Sequence, residues 1–387
     1  MHMREDFNYI GKNIYVDTAC QSLRPKTVID ALNEYYTKFN SCGERVKYPW
    51  GVKTEQKVDE TRTKVLKYLK LSTKDYFVSF TLNTTYGINL LLNQIDASKF
   101  SRVITSDIEH NSPFLSTMTF AEKNDLPREV ITRDDTGTFP LEIDFDRALV
   151  VVNCVSNIDG RKLSNLNDLV KRVHKEHGII IVDAAQAMAH NVDVLRKVQA
   201  DAICFSAHKM YAPSLGVMVV RKDLLSKINT TFIGGGMVDD VNKNDFTPSY
   251  DNPDKFYTKF ESGLQAWGEI IALGRAIDWL EKVPKKAKTK FNSYCKQLFD
   301  FMKKQPKIHL INSTPSPVIS FYVEGIDSHL FGAALADEGI MVRTGYFCVH
   351  YYLDHVKKYP PLIRISLGLH NNQADIDKII KVLKKAL

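Results

Sequence analysis

Between residues 75 and 220 the chain alternates short apolar, β-rich runs with helical ones. YFVSFT is followed by TTYGINLLLNQI, and RVITSD by SPFLSTMTFAEKN. REVITR and ALVVVNCVS are again β-rich, and GVMVVRKD closes the series. GIIIVDAAQ and DAICFS are unbroken apolar runs with no polar face, so both of their faces must be covered. Strand and helix in alternation predict an α/β domain around a mostly parallel sheet. NLNDLVKRVHKEHG reads as one of the covering helices, with Leu166, Leu169, Val170 and Val173 on its apolar face, a capping Asn165 and a closing Gly178.

After GGGM (234–237) the pattern changes. A long helical stretch, SGLQAWGEIIALGRAIDWLEKV, precedes a lysine-rich one. PVISFYVEG, DSHLFGAALADEG, IMVRTG, LIRISLG and NQADIDKIIKVLKKAL then read as a smaller α+β domain. TVIDALNEYYTKF is an N-terminal helix leading into the large domain. A length of 387 residues suits two or three domains.

Charge is unevenly placed. Residues 282 to 307 hold nine lysines against one acid, Asp300, which accounts for the whole net excess of +7. Phe291, Tyr294, Cys295, Leu298 and Met302 recur there at helical spacing, which predicts an amphipathic helix with a solvated lysine face. The sharper alternative is a docking patch for an acidic partner. No nucleic-acid motif accompanies the charge, so no nucleic-acid partner is expected. No apolar run approaches the roughly 20 residues that span a bilayer, so no membrane partner is expected. MHMREDFNYIGKN has no apolar core of a signal peptide, and a cytoplasmic location follows. None of the six cysteines forms C-x-x-C or a zinc-ligand spacing with histidine, so no metal site is expected and the thiols should be reduced. Cys154 and Cys204 lie in strand-like runs and read as core residues.

Ligands of open α/β sheets bind at the carboxyl ends of the strands. YFVSFT ends there in Asn83-Thr84-Thr85 and opens a helix, a phosphate site unless a threonine merely caps the helix. Other runs end in His110, Asn157, Asp183 with Gln186, and Ser206-Ala207-His208-Lys209. A carboxylate directly after IIIV needs a cationic partner. A lysine at the end of the next β-run has its pKa lowered by burial, as a Schiff-base lysine requires. Pyridoxal phosphate meets these needs together: an aldehyde for Lys209, a protonated ring nitrogen for Asp183, a phosphate for Thr84 and Thr85. The plain alternative is an Asp183–Lys209 salt bridge.

The chain resembles the cysteine desulfurase family of class V, fold-type I pyridoxal-phosphate enzymes, nearer its Suf-type and selenocysteine lyase group. The resemblance rests on YVDTA (15–19), NTTYGIN (83–89), EHNS (109–112), VSNIDG (155–160), VDAAQAMAH (182–190), FSAHKMYAP (205–213), GGGM (234–237), FESG (260–263), VRTGYFC (342–348) and RISLGLHN (364–371). It implies a large domain over 12–265 with a seven-stranded type of sheet, and a small α+β domain from 1–11 and 266–387. It implies that Lys209 carries the cofactor covalently and then moves protons. Asp183 would hold the ring nitrogen, Gln186 the ring hydroxyl and His110 the ring face. Thr84, Thr85, Ser206 and His208 would hold the phosphate. Asn157 and Arg364, with Arg343 nearby, would hold the substrate carboxylate, for which an arginine fork is suited.

Cys348 carries the specific function that the resemblance implies. It is the thiol that takes sulfur from L-cysteine as a persulfide, releasing alanine, in a homodimer that hands sulfur to an acceptor or scaffold protein of iron–sulfur assembly. A cysteine on a glycine-bearing loop can be mobile and accessible. Three features depart from the family: Leu264 replaces a threonine that reaches the neighbouring subunit's phosphate, Tyr346-Phe347 replaces two histidines before Cys348, and CGERVKYPWG stands where an early His-Arg-Gly-x-His is usual. Rival readings are another class V enzyme (an epimerase, aminotransferase, β-lyase or selenocysteine lyase) and an inactive relative kept as a binding partner.

Overall fold

A computed structural model describes residues 3–43 and 46–387, so Met1, His2 and the Glu44-Arg45 pair of CGERVKYPWG lie outside the described residues. In chain order the elements are β1 (Ile14–Tyr15), α1 (Lys26–Lys38), α2 (Pro49–Leu69), β2 (Tyr76–Thr81), α3 (Thr84–Gln94), β3 (Arg102–Ser106), α4 (Asn111–Lys123), β4 (Arg128–Ile131), β5 (Ala148–Asn153), α5 (Leu166–Lys175), β6 (Ile179–Asp183), β7 (Ala202–Ser206) and β8 (Gly216–Arg221). There follow β9 (Val238–Val241), β10 (Phe246–Pro248), α6 (Trp267–Glu281), α7 (Lys285–Lys303), β11 (Ile308–Leu310), β12 (Val318–Val323), α8 (Ser328–Asp337), β13 (Ile340–Met341), β14 (Arg343–Gly345), β15 (Leu362–Ser366) and α9 (Gln373–Ala386).

The large sheet has seven strands in the order β2-β8-β7-β6-β5-β3-β4. All neighbours are parallel except β8, which runs antiparallel to both β2 and β7. The unbroken apolar runs explain the layering. Leu149, Val151, Ile179 and Ile181 pack with Ile88 and Leu91 of α3 on one face. Their chain neighbours Val150, Val152, Ile180 and Val182 pack with α2, α5 and α6 residues on the other. Period-two side chains thus serve two cores from one strand. A second, antiparallel sheet has the order β11-β12-β15-β14. The N-terminal segment reaches this part of the chain too: β1 pairs with β13 in a separate two-stranded sheet, and Asp17 bridges Ser366 of β15.

Two local expectations are corrected. Asn165 stands at the start of α5, but its side chain does not cap it; the amide bonds both backbone groups of Phe139 instead, at 3.0 and 2.7 Å. The residue that turns left-handed after α5 is His177 (φ 61°), not Gly178. Gly178 is small for another reason: a Cβ there would lie 2.6 Å from the Ala148 carbonyl. The sequence reading also overlooked α2 altogether. In α7, Phe291, Cys295, Leu298 and Met302 are buried as the helical spacing predicts, Tyr294 is half-buried, and Phe299, outside that pattern, is buried too.

One buried ion pair ties the layers together. The Arg62 guanidinium of α2 grips Glu261 through two bonds of 2.7 Å and also donates to the Val78 carbonyl of β2. Glu261 accepts the Phe80 N–H as well, at 2.7 Å. Arg62 is sandwiched by Tyr257 and Phe80. The FESG segment is thereby fixed to the strand that leads into α3.

Candidate active site

The site begins where β2 meets α3. Asn83 caps the helix, its side-chain oxygen accepting from Tyr86 N–H at 2.9 Å. The cap is therefore not a threonine, and both threonine hydroxyls are left for other work. Thr84 Oγ1 lies 2.6 Å from Ser206 Oγ, and Thr85 Oγ1 lies 2.6 Å from Ser112 Oγ. The ends of β2 and β7 and the start of α4 are laced together by hydroxyls. Strand β8 makes this closeness possible: a Cβ on Gly216 would lie 2.2 Å from Thr81 Oγ1 and 2.5 Å from Asn83 N, so only glycine fits.

Lys209 follows β7 in a short helical turn and lines the same cavity. Burial lowers its pKa, while the charge of Asp183 partly opposes that shift. Asp183 ends β6, and burial raises its carboxyl against the lowering effects of the Ala185 N–H and Lys209. Its Oδ1 accepts from Ala185 N–H at 2.9 Å, and among the described residues it forms no ion pair with Lys209. The salt-bridge alternative therefore does not hold. His110 caps α4 through Nδ1, which accepts the Ser112 N–H at 3.0 Å. Burial, then the charges of Lys209 and Arg364, push its pKa down to about 3, so the ring is neutral. His208 is likewise lowered to about 4 by burial, and its Nδ1 is buried without a partner among the described residues. Gln186 donates one amide N–H to the Ala19 carbonyl at 2.7 Å.

The other end is built from β15 and the loop after β14. Arg364 is buried, donating to the Asn157 carbonyl at 3.0 Å and to Asp17 Oδ1 at 3.2 Å. Its Nε has no partner among the described residues. The Asn157 side chain donates to the Phe347 carbonyl at 2.9 Å, so its amide holds the loop that bears Cys348. The Cys348 carbonyl accepts the Asn111 N–H at 2.6 Å. Phe347 and Cys348 are both left-handed, at φ 49° and 59°. The Phe347 ring lies under Arg364 (4.6 Å) and is buried with Ile108, Ile158, Val349, Tyr352 and Leu362. Cys348 is half-buried on a pinned loop, where the sequence suggested a mobile one. The apolar Phe347 is the reason: it is the loop's anchor.

A cavity of about 280 Å³ is lined by Lys209, Asp183, Gln186, His110, Thr84, Thr85, Ser206, His208, Asn157, Arg364, Arg343 and Cys348, twelve residues singled out from sequence. The structure adds Asp17, Cys20, Ser112 and Asn153, which sequence reasoning passed over. Asp17 and Cys20 sit in and beside YVDTA, a run noted only as a matching block. Behind the wall, Glu109 accepts from Ser106 Oγ, from Arg133 at 2.6 Å and from Asn153 N–H at 2.7 Å, which fixes the turn before His110. Cys154 and Cys204 are fully buried in the two cores.

A lysine, a carboxylate on the adjacent strand and a hydroxyl-lined helix start, all at the carboxyl edge of a mostly parallel sheet, define a fold-type I enzyme of the pyridoxal-phosphate kind. The chain belongs to the aminotransferase class-V family, whose model matches residues 14–379. It is 28% identical to a probable cysteine desulfurase of Borreliella burgdorferi, over 100% of this chain and 96% of that protein. A cysteine desulfurase of an Enterobacter species is 26% identical over 99% of this chain and 97% of the relative. Among solved structures, the apo cysteine desulfurase of Thermococcus onnurineus superposes with a TM-score of 0.88 at 26% identity, over 99% of this chain and 97% of that one.

Proposed function

We propose that this protein is a pyridoxal-phosphate-dependent cysteine desulfurase that moves sulfur from L-cysteine to Cys348 and releases L-alanine. The observation that carries the reading is that Lys209, Asp183, Thr84 and Thr85 line one cavity together with Arg364 and Cys348. The donors fit the cofactor. A carboxyl pushed up by burial suits a protonated ring nitrogen as a closer cationic partner. The Thr84 and Thr85 hydroxyls at a helix start, with the unpartnered His208 Nδ1, suit a phosphate. A neutral His110 ring suits a stacked aromatic face. Asn157 and Gln186 sit beside them as further polar contacts.

Bound pyridoxal phosphate supplies an electron sink for charge developing at the substrate α-carbon. The residues do the rest. Arg364, with Arg343 close by, holds the substrate carboxylate and so aims the α-carbon at Lys209. Lys209, its pKa lowered by burial, is the amine that takes and returns the α-proton. Cys348 takes the substrate sulfur as a persulfide. Changing Cys348 to alanine should end sulfide and alanine release while the cofactor absorbance stays. Full alanine release from that variant would refute the assignment.

The large domain over 12–265 and the small domain over 1–11 and 266–387 meet at this cavity in the same reading. The enzyme works as a cytoplasmic homodimer with a sulfur-acceptor partner. Leu264 is 77% exposed, and Gly263 beside it bonds the Gly235 carbonyl of the segment that also carries the exposed Ile233. An apolar patch at this point is what a second copy would cover. Leu264→Asp should lower the mass seen by light scattering at micromolar protein; an unchanged dimer, or a monomer in the unaltered chain, would count against it.

A further inference from the structure

The cavity holds two cysteines. Cys20 stands on its wall with Cys348, Arg343 and Arg364. Its backbone is fixed: Cys20 N–H bonds the Asp17 carbonyl, and Ala19 before it is held by Ser366 Oγ at 3.0 Å and by Gln186 at 2.7 Å. Its sulfur accepts a hydrogen bond from Arg343 Nη1 at 3.0 Å. Arg343 lies in β14, the strand that runs on into the Cys348 loop. Both sulfurs are near enough to the Lys209 amine to act on it by charge, and Cys20 acts on Arg364 in the same way. Arg364 is 3% exposed, and its unpartnered Nε independently marks this end of the cavity as the place for an anionic substrate group. A guanidinium held against sulfur suits a sulfur anion.

We propose that Cys20 is a second sulfur-carrying thiol, which receives the outer sulfur from the Cys348 persulfide. This rests on the desulfurase reading above. The Cys20 thiolate attacks the outer sulfur of Cys348–S–SH. A new S–S bond forms on Cys20 while the bond to Cys348 breaks, and Cys348 leaves as a thiolate with that electron pair. The proton stays on the transferred sulfur. No external oxidant or reductant enters, because one persulfide is exchanged for another. Arg343 then stabilises the persulfide on Cys20, and Cys348 is returned for the next substrate.

The test uses the cofactor-loaded, full-length protein with one equivalent of L-cysteine, quenched with an alkylating agent. Alanine is measured, and the peptides bearing Cys20 and Cys348 are weighed. The relay is supported if the Cys20 peptide gains one sulfur in the unaltered chain but not in Cys348→Ala, and if Cys20→Ser keeps the sulfur on Cys348. It is overturned if the unaltered chain makes alanine and carries sulfur on Cys348 alone. Sulfur on Cys20 in the Cys348→Ala variant also overturns it, since Cys20 would then take sulfur directly. If no alanine forms and neither peptide gains mass, the desulfurase reading falls, and the relay with it.

Discussion

The Asn157 amide donates to the Phe347 carbonyl at 2.9 Å, while the Asn157 carbonyl accepts from Arg364. One residue therefore sets both the loop that bears Cys348 and the buried Arg364. Changing Asn157 to alanine leaves the Phe347 carbonyl without its donor, at a cost of about 1–3 kcal/mol. The expected result is a raised KM for L-cysteine together with a fall in kcat, read from alanine release. A change in KM alone would mean that the loop does not depend on Asn157.

Asp183→Asn removes the charge that holds the Lys209 pKa up. The amine of the cofactor-free protein should then titrate at lower pH than in the unaltered chain. Alanine production should fall about 10²–10³-fold, as for loss of one preorganised charge. Unchanged titration of Lys209, followed by pH-dependent labelling of the amine, would contradict the pairing.

Four histidines are held neutral by burial, His110 at about 3 and His190, His208 and His370 at about 4. Unfolded, each titrates near about 6.5. Between pH 6.5 and 4 the unfolded chain thus binds more protons, so stability falls as pH falls, by up to ~1.4 kcal/mol per group per unit. Glu109, pushed up to about 7 by burial, opposes this, as do Asp17, Asp59, Asp107 and Asp183, whose carboxyls burial also raises. Urea midpoints of the cofactor-free protein should be lower at about pH 5 than at about pH 7.5. An equal or higher midpoint in acid would show that the buried carboxyls dominate.

Arg62→Met strands Glu261 in the core without its bidentate partner. Breaking a buried pair by removing one side costs about 3–5 kcal/mol. Calorimetry should show a clearly lowered Tm, and replacing Glu261 in the same chain should recover part of the loss. No recovery in the double variant would mean the two residues act separately.

The large sheet was legible because its strands have no polar face, and a chain that hides both faces leaves a distinctive run of Val and Ile. The cavity residues were legible because strand ends are where such folds expose chemistry. Other features were hidden by their own composition. The buried face of α2 includes Gly51, Thr54, Thr61 and Arg62, which break the apolar period. Thr61 and Gly274 are small because α2 and α6 nearly touch there. Asn165 looked like a cap because its spacing suits one, and only tertiary structure offered it Phe139. Cys20 gave no signal, since nothing in one dimension places it beside Arg343.

The antiparallel strand also dictates when this molecule can be finished. Tyr76 of β2 pairs with Arg221 of β8, and Asp17 waits for Arg364. At ~5–20 residues per second, a ribosome takes about 7–30 seconds to deliver β8 after β2, and longer to deliver β15. The nascent chain therefore carries β2 unpartnered for about a third of its synthesis, and the Arg364 side of the pocket closes only near release. A chain truncated before β15 would own Lys209 yet lack Arg364, the arginine proposed to hold the substrate carboxylate.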